Sequence, residues 1–511
     1  MPNNRQDPST DAELSKLTQQ KLRCKAERKA LVLRIEELDQ EVIRIDANYA
    51  AIHNKRLPLL GLPTEVTCMI LQFAVGSGYH ISGQKRRYFE VIASHVCRQW
   101  RSIALTYSRL WARFCYVGPK TFLNDMDRLD AYLNRSVSHE LELWLDFRMT
   151  PIQNELDLLE MALGQIERWK CFVVSSGGED SLFGIHSRIG HLGAPKLEHF
   201  SFVCEVFSPS GPHIPISNLE PTLFTNGAPK LQSVVLGRSS AICLPSLSNI
   251  TTLCLETLHE GMAIAFPWST FHLILTLPLL SNLSLAGDVV AHPHASATSP
   301  ITMGNLLHFR CGGCGVLPFF LPLLRAPLLQ TLIIQNDGFN DLFLESVGAS
   351  AEPYAFPALQ TISLLNITFD TLAAAWYFAR MTESATEILL SEEESWQTLL
   401  SALQCSEEYP EKTYWSKVKL LTCDFCHWNI NDYTTFLEFA KARSKNGLII
   451  RIFDRLDCCW RQDLAREYDV LKEICTVEVM DVTNNPFSQP WPPGAYNYLH
   501  DSEDFFRVDP Y

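Results

Sequence analysis

The chain has 511 residues, of which 47% are hydrophobic and 20% charged, and its formal net charge is −14. This composition is typical of globular proteins, and the length allows two or more domains. An acidic chain is poorly suited to non-specific nucleic-acid binding, which depends on neutralising phosphates, and to anionic membrane surfaces, so we expect neither as a partner.

The first ten residues, MPNNRQDPST, contain no apolar core and do not predict a signal peptide. We expect residues 1–12 to be disordered. The most apolar stretch, residues 316–334, is interrupted by three prolines and Arg325, which predicts buried core rather than a membrane span. The expected location is therefore cytoplasmic and/or nuclear, where the 16 cysteines are expected to be buried thiols.

Residues 13–56 carry apolar side chains with a period of seven, which predicts a coiled-coil helix. The stronger series is Leu17, Cys24, Leu31, Leu38, Ile45 and Ile52, and the weaker one is Leu14, Lys21, Arg28, Ile35, Val42 and Tyr49. Across a parallel homodimer Arg34 would attract Asp39, but Glu41 would repel Asp46. Dimerisation and folding back onto the same chain therefore both remain open.

Residues 57–116 predict a small all-α module. A helix is expected to begin at Leu62-Pro63-Thr64-Glu65, because proline suits the first helical position. Val66, Met69, Ile70 and Phe73 follow at helical spacing. A second amphipathic segment runs over 96–104, and Leu110-Trp111 closes the module. Taken singly, Trp100 and Trp111 are also what the core of any helical bundle contains.

In this order and within one short window, these residues resemble the F-box motif. The resemblance covers about one-ninth of the chain, over 58–114, although the connection at 75–93 is longer than is typical. A coiled coil leading directly into such a module is similar to F-box proteins expanded in mushroom-forming fungi. The family binds a Skp-type adaptor of cullin–RING ubiquitin ligases. The resemblance implies that the adaptor-binding residues are Leu62, Pro63, Glu65, Val66, Ile70, Val96, Cys97 and Trp100.

From about residue 140 the pattern apolar-x-x-apolar-x-apolar returns at irregular intervals. Its copies begin at Leu197, Leu231, Ile250, Leu280, Leu306, Leu329, Leu359 and Val418. One unit cannot bury its apolar side alone, so we predict that residues 117–484 stack into an irregular leucine-rich-repeat solenoid of α/β class. Further strands are expected at 141–147, 166–174, 448–453 and 476–482, and helices at 370–380 and 394–404.

The strand residues between the apolar positions should point away from the core and form a substrate face. They are His199, Ser201, Ser233, Thr252, Asn282, Ser284, His308, Arg310, Thr331, Thr361, Ser363 and Thr422. Small polar side chains dominate this set. They suit hydrogen bonding to a protein ligand, but Ser and Thr are also simply acceptable on exposed strands.

Two Cys-x-x-Cys pairs, Cys311/Cys314 and Cys423/Cys426, invite a zinc site, and His427 gives the second pair the spacing of haem attachment. The repeat accounts for both pairs, since its turn accepts cysteine, and the pairs lie far apart in sequence. No Gly-rich phosphate loop, G-x-S-x-G or H-E-x-x-H motif occurs. We therefore expect no catalytic residue, cofactor or metal.

The tail at 485–511 is rich in proline, aromatic and acidic residues, and either caps the last repeat or is disordered.

The function predicted is that of a substrate-recruiting adaptor of an SCF-type cullin–RING ubiquitin ligase. Its helical module would bind the Skp-type adaptor, and through it the cullin scaffold, while the repeats bind an unknown target protein. The alternative is a non-ligase scaffold that forms a homodimer through its coiled coil.

Overall fold

A computed structural model of the chain describes residues 8–54, 56–77, 88–118, 122–148, 150, 152–204, 219–237, 243–256, 266–287, 289–290, 300–340, 343–344, 355–391, 396–404, 414–424, 430–481, 486, 491–493 and 506. The described residues form two compact units. The first ends at Tyr107, and the second begins at Ser108.

The first unit opens with α1, a single helix over Pro8–Asn54 with 47 residues and a length of roughly 70 Å at 1.5 Å per residue. The predicted long helix is confirmed, but it begins at Pro8, so the expectation of disorder is wrong for residues 8–12. Every described side chain of α1 is exposed, including Leu31 and Leu38 of the stronger heptad series. Arg34 pairs with Glu37 one turn along the same helix, at 2.7 Å. The apolar stripe is therefore not packed against the other described residues of the first unit.

A short 3-10 helix, Pro58–Gly61, leads to α2 (Thr64–Ser77), α3 (Phe89–Val96) and α4 (Arg98–Thr106). The start of α2 falls where Pro63 predicted it. The expected continuous segment from Val96 is wrong, because Cys97 is extended and separates α3 from α4; its Sγ accepts the Trp100 N–H at 3.4 Å. The connection expected at 75–93 is also shorter than predicted, because α2 continues to Ser77 and α3 begins at Phe89.

The second unit contains a sheet of fourteen parallel strands among its described residues, ordered as they occur in the chain. The strands of the unit are β1 Arg113–Val117, β2 Leu141–Asp146, β3 Trp169–Ser176, β4 His199–Cys204, β5 Ser233–Gly237, β6 Thr252–Glu256, β7 Asn282–Ala286, β8 Ile301–Thr302, β9 His308–Gly312, β10 Leu324–Arg325, β11 Thr331–Gln335, β12 Gly338–Phe339, β13 Thr361–Leu365, β14 Thr368–Phe369, β15 Glu387–Ser391, β16 Leu420–Asp424, β17 Ile449–Phe453 and β18 Thr476–Met480. Two short pairs, β8 with β10 and β12 with β14, lie outside the large sheet.

Helices connect many of these strands, as parallel pairing requires. They are α5 Phe122–Arg135, α6 Ile152–Leu163, α7 Glu179–Ile189, α8 Trp268–Leu275, α9 Leu317–Phe320, α10 Leu372–Met381, α11 Trp396–Gln404, α12 Ile430–Ser444, α13 Asp454–Asp463 and α14 Ala465–Ile474. The predicted helices at 370–380 and 394–404 correspond to α10 and α11.

The register of the sheet places equivalent apolar residues side by side. Phe202 is opposite Leu236, which is followed across the sheet by Leu255, Leu285, Cys311 and Ile334. All six side chains are buried. The expectation that the third apolar position of each predicted unit lies in one sheet is therefore confirmed.

The chain leaves neighbouring strands through one repeated turn. Gly287, Gly313, Asn336 and Asn366 each follow a strand directly, with φ of 72°, 58°, 51° and 52°, a region that glycine and asparagine tolerate best. Each donates its N–H to a main-chain carbonyl at the end of the next strand, as Gly313 does to Gln335 at 2.9 Å. Asn366 Nδ2 also donates to Asn336 Oδ1 at 2.9 Å. The turns are thus tied together along the sheet.

Leu110 and Trp111, which the sequence assigned to the helical module, lie in the second unit. The Trp111 ring packs edge-on against Tyr132, with centroids 5.0 Å apart, and the Arg135 guanidinium lies 4.3 Å from the Trp111 centroid. Residues 113–116, also assigned to that module, form most of β1. The apolar run at 114–117 has only four residues, which is too short for its periodicity to distinguish a strand from a helix end.

Candidate functional site

The helix α2 exposes its apolar stripe. Met69 is 69% exposed and Phe73 is 79% exposed, and Val66 and Ile70 on the same helix are also exposed. Thr67 and Leu71 are buried instead, and Thr67 Oγ1 donates to the Pro63 carbonyl at 3.2 Å, which satisfies its hydroxyl. A contiguous exposed apolar patch is typical of a protein-binding surface. The stripe of Val66, Met69, Ile70 and Phe73 is called the α2 stripe below.

The other residues expected to bind the adaptor lie in the same unit as the α2 stripe. Pro63, Glu65 and Val96 are exposed, while Leu62, Cys97 and Trp100 are half-buried. Among the described residues, no hydrogen-bond acceptor reaches the buried Trp100 Nε1. The unit adds further exposed apolar side chains at Leu57, Leu59 and Ile92.

Hydrogen bonds hold the helices beneath this surface. Gln99 Nε2 donates to the Leu60 carbonyl at 2.9 Å, which ties α4 to the 3-10 helix. Tyr107 OH donates to Gln72 Oε1 at 2.7 Å and thereby reaches α2. Ala93, Ile103 and Ala104 fill the small core. Sequence reasoning found the apolar period of α2 but did not identify Met69 and Phe73 as surface residues, because the period alone does not say which side is covered.

The predicted substrate face forms two neighbouring rows on the sheet. The first row runs His199, Ser233, Thr252, Asn282, His308, Thr331 and Thr361, and the second contains Ser201, Val235, Cys254, Ser284, Arg310, Ile333 and Ser363. Two neighbouring pairs within the first row are hydrogen-bonded: His199 Nδ1 lies 2.9 Å from Ser233 Oγ, and Asn282 Nδ2 donates to Thr252 Oγ1 at 2.8 Å. Thr422 continues the second row, two strands beyond Ser363. The structure therefore brings all the predicted face residues together.

This face is more covered than the sequence suggested. His199, Ser201, Thr252, Ser284, Arg310, Ser363 and Thr422 are buried, and Ser233, Asn282, His308, Thr331 and Thr361 are half-buried. Burial lowers the pKa of His199 to about 3, and it also lowers the pKa of His308. Both imidazoles are therefore neutral near pH 7, which suits structural hydrogen bonding better than proton transfer.

A buried ion pair lies at the centre of the face. Arg310 Nη2 donates to Glu256 Oε1 at 2.8 Å, and both side chains are almost fully buried. Ser284 Oγ donates to the same carboxylate oxygen at 2.6 Å and accepts from Arg310 Nε at 2.6 Å. Sequence reasoning missed Glu256, although it stands two residues beyond Cys254 and so shares the outward side of β6.

Two aromatic residues from the C-terminal tail lie against this ion pair. The ring centroids of Trp491 and Phe506 are 4.4 Å and 4.5 Å from the Arg310 Cζ. Trp491 also packs in a cluster with Val235 and Cys254, which Ile333 joins from β11. These contacts fall on β5 to β11, so the expectation that the tail caps the last repeat is wrong for both residues. The rest of the tail, apart from residues 486, 492 and 493, lies outside the described residues.

The cysteine pairs show no metal-binding geometry within the described part of the chain. Cys311, Cys314 and Cys423 are buried, and burial raises the pKa of Cys311 and of Cys423 well above the usual value, so both stay protonated thiols. Cys426 and His427 lie outside the described residues. No group of three potential metal ligands occurs among the residues that the structure describes. Of the described helices, none combines the length and apolarity needed to span a membrane.

No protein-family model matches the chain. The curated proteins also contain no significant match to it. Two surfaces of the protein bear on its function, the α2 stripe and the covered face of the sheet.

Proposed function

We propose that the chain is a substrate-recruiting adaptor of an SCF-type cullin–RING ubiquitin ligase. The first unit would be an F-box-like module that binds a Skp-type adaptor and, through it, the cullin scaffold. The second unit would be an irregular leucine-rich-repeat solenoid that holds a target protein. The single observation that carries the proposal is the exposed α2 stripe, because a soluble helical module has no folding reason to expose Met69 and Phe73 side by side.

The α2 stripe has the chemistry of a binding hot spot. Burial of one large apolar side chain stabilises a complex by about 1.5–3 kcal/mol, and Met and Phe are enriched at the centres of interfaces. The order Leu62, Pro63, Glu65 and Val66, with Ile70 one turn further, resembles the F-box motif on the same helix. Exposed Pro63 and Val96 extend the available surface beyond α2.

The regular register of the sheet supports the repeat interpretation of the second unit. Equivalent positions align across β4 to β13, and the turns at Gly313, Asn336 and Asn366 repeat with one hydrogen-bond pattern. Such arrays bind proteins over extended surfaces. The target would be held on the face that contains Arg310.

The mechanism proposed is proximity. Holding a target near the ligase raises the effective concentration of its lysines at the transferring thioester, and this accelerates transfer without a catalytic residue in the chain. The buried histidines and thiols take no part in the proposed mechanism. The chain would act by binding alone.

Co-purification of the full-length protein from cells tests the proposal. We expect a Skp-type adaptor and a cullin among the captured proteins, and their loss with Met69→Ala plus Phe73→Ala, as with Leu62→Ala plus Trp100→Ala. Leu273→Ala, which removes an exposed apolar side chain from the second unit, is the matched control and should retain both partners. Capture that is unchanged in both double variants would defeat the proposal.

The exposed stripe of α1 favours a second candidate, a scaffold that self-associates as a coiled coil. Its heptad residues Leu31, Leu38 and Ile45 are exposed along a helix of 47 residues. Sedimentation of the full-length protein separates the two functions. A dimer that Leu31→Lys plus Leu38→Lys converts to a monomer, with no adaptor captured, would favour the scaffold.

A further inference from the structure

The Arg310 guanidinium is held in one fixed orientation at the middle of the sheet. Its Nε and Nη2 donate to Ser284 and Glu256 on the two preceding strands, β7 and β6. The positive charge is therefore compensated within the sheet. Because these donors are engaged, the fork of Arg310 is not presented to an incoming phosphate or carboxylate.

What Arg310 offers to a ligand is the planar face of its guanidinium, and two aromatic rings already use it. Trp491 and Phe506 lie 4.4 Å and 4.5 Å from Cζ, within the range of a cation–π contact. Trp491 is also surrounded by Val235, Cys254 and Ile333, so its indole sits in an apolar pocket built by three strands. Such a site fits an aromatic side chain.

The two rings come from beyond the last strand of the sheet. β18 ends at Met480, whereas Trp491 and Phe506 lie over strands β5 to β11. Both side chains are buried, Trp491 at 6% and Phe506 at 4% exposure. Trp491 and Phe506 therefore occupy the part of the face around Arg310, where a target protein would have to bind.

We infer that the face around Arg310 is a binding site for a peptide segment that carries two aromatic side chains, and that the C-terminal tail is its resident intramolecular ligand. A target segment with the same pair of aromatics would displace the tail. The inference deepens the proposed function by naming the chemistry of the target, and only the link to ubiquitin transfer rests on that function.

The buried Arg310–Glu256 ion pair favours reversible binding of Trp491 and Phe506 over permanent coverage. Release of Trp491 and Phe506 lets water reach the buried charges of Arg310 and Glu256, and their hydration offsets part of the lost ring contacts. The core on the opposite side of the sheet, with Leu255 and Leu285, does not depend on either ring. The sheet can therefore remain folded when the tail leaves.

The test uses the full chain with a cleavage site for a specific protease inserted after the exposed Asp481. After cleavage, we expect the two fragments to elute together, because the tail remains bound without a covalent link. A fluorescent peptide of residues 482–511 should then exchange into the cut complex. Unlabelled peptide should compete, and Trp491→Ala or Phe506→Ala in the competitor should weaken competition at least about tenfold.

A conservative Trp491→Phe peptide is the matched control and should lose less than Trp491→Ala, because it keeps a ring. All substitutions lie in the peptide, so the folding of the chain is not affected. Separation of the fragments on cleavage, failure of the peptide to exchange, or equal competition by the Trp491→Ala peptide would each overturn the inference. Adaptor capture measured on the same preparation distinguishes the failures, because exchange without capture defeats only the proposed function.

Discussion

The ring centroid of Trp491 lies 4.4 Å from the Cζ of Arg310, and the two residues join the C-terminal tail to the middle of the sheet. The guanidinium is held from below by Glu256 and covered by the ring, so charge, hydrogen bonding and aromatic contact meet at one point. This relationship explains why the part of the face around Arg310, which was expected to be open, is buried.

The buried Arg310–Glu256 pair should respond strongly to the loss of one partner. Glu256→Gln leaves a buried guanidinium without its counter-charge, and we expect it to lower the free energy of unfolding by about 3 kcal/mol. The double variant Glu256→Gln plus Arg310→Met should recover part of that loss, because no isolated charge remains. Denaturant titration of the three proteins measures the effect.

The exposed pair Arg451–Glu478 is the control for this prediction. Arg451 Nε lies 2.7 Å from Glu478 Oε2, yet both side chains are more than a third exposed. Glu478→Gln should therefore change the unfolding free energy by no more than about 1 kcal/mol. Equal losses for Glu256→Gln and Glu478→Gln would contradict the role given to burial.

Glu155 should make stability depend on pH. Burial raises the pKa of this carboxyl, on α6, to about 7, and the serines Ser176 and Ser181 are its hydrogen-bond partners. The folded state then holds a proton that the unfolded chain releases near pH 4.5. Stability should fall as the pH rises from about 4.5 to 7 and level off above that, by about 2 kcal/mol in all.

Glu155→Gln should flatten this part of the pH profile, because the amide does not ionise. Glu160→Gln is the control on the same helix, since Glu160 is exposed and pairs with Arg188. Thermal unfolding between pH 5 and pH 8 measures the difference. A wild-type profile that rises over this window would show that Glu155 is ionised in the folded protein.

Arg443 should be required for the stability of the C-terminal part of the sheet unit. Its guanidinium is buried and donates to the main-chain carbonyls of Tyr414, Trp415 and Phe439, while the Phe439 ring lies 3.9 Å from Cζ. Burial lowers its pKa to about 10, so the group stays protonated at pH 7.

We expect Arg443→Met to destabilise the protein by about 3 kcal/mol, because three carbonyls lose a charged donor. Arg443→Lys should be nearly as harmful, since one ammonium does not reproduce the planar fork. Lys441→Met, two residues earlier and exposed, should be neutral. If Arg443→Met unfolds at the same denaturant concentration as the wild type, the hydrogen bonds of Arg443 do not stabilise the folded protein.

The orientation of α2 gives a prediction that is independent of any partner. Leu71 is fully buried, so Leu71→Ala should cost about 2–5 kcal/mol. Phe73→Ala, at a site that is 79% exposed, should change stability by less than about 0.5 kcal/mol. A large loss for Phe73→Ala would place its ring in the core, and the α2 stripe would no longer exist.

Much of the sheet could be predicted because each inward row repeats one spacing. Leu253 and Leu255, or Leu283 and Leu285, are separated by one polar or small residue, and this alternation identifies a strand. The same rule missed β1 and β15. β1 follows Trp111, which the sequence assigns to the helical module. β15 lies in the long interval between the copies at Leu359 and Val418, where the sequence predicts only helices.

The α2 stripe and the face around Arg310 were less predictable, because the sequence does not show which other side chains pack against them. The period of α2 gives the stripe of Met69 and Phe73 but does not show that Thr67 and Leu71 face inward instead. The polar rows of the sheet include Arg310, but its contact with Trp491 joins residues separated by more than a third of the sequence. No local pattern carries such a contact.

Titration of the purified full-length protein with a purified Skp-type adaptor measures whether the α2 stripe binds that adaptor. We predict saturable one-to-one binding with a dissociation constant in the micromolar range or below, weakened at least about tenfold by Met69→Ala plus Phe73→Ala and unchanged by Leu273→Ala. Absence of binding by the wild-type protein, with its fold verified on the same sample, would show that the first unit is not an adaptor-binding module.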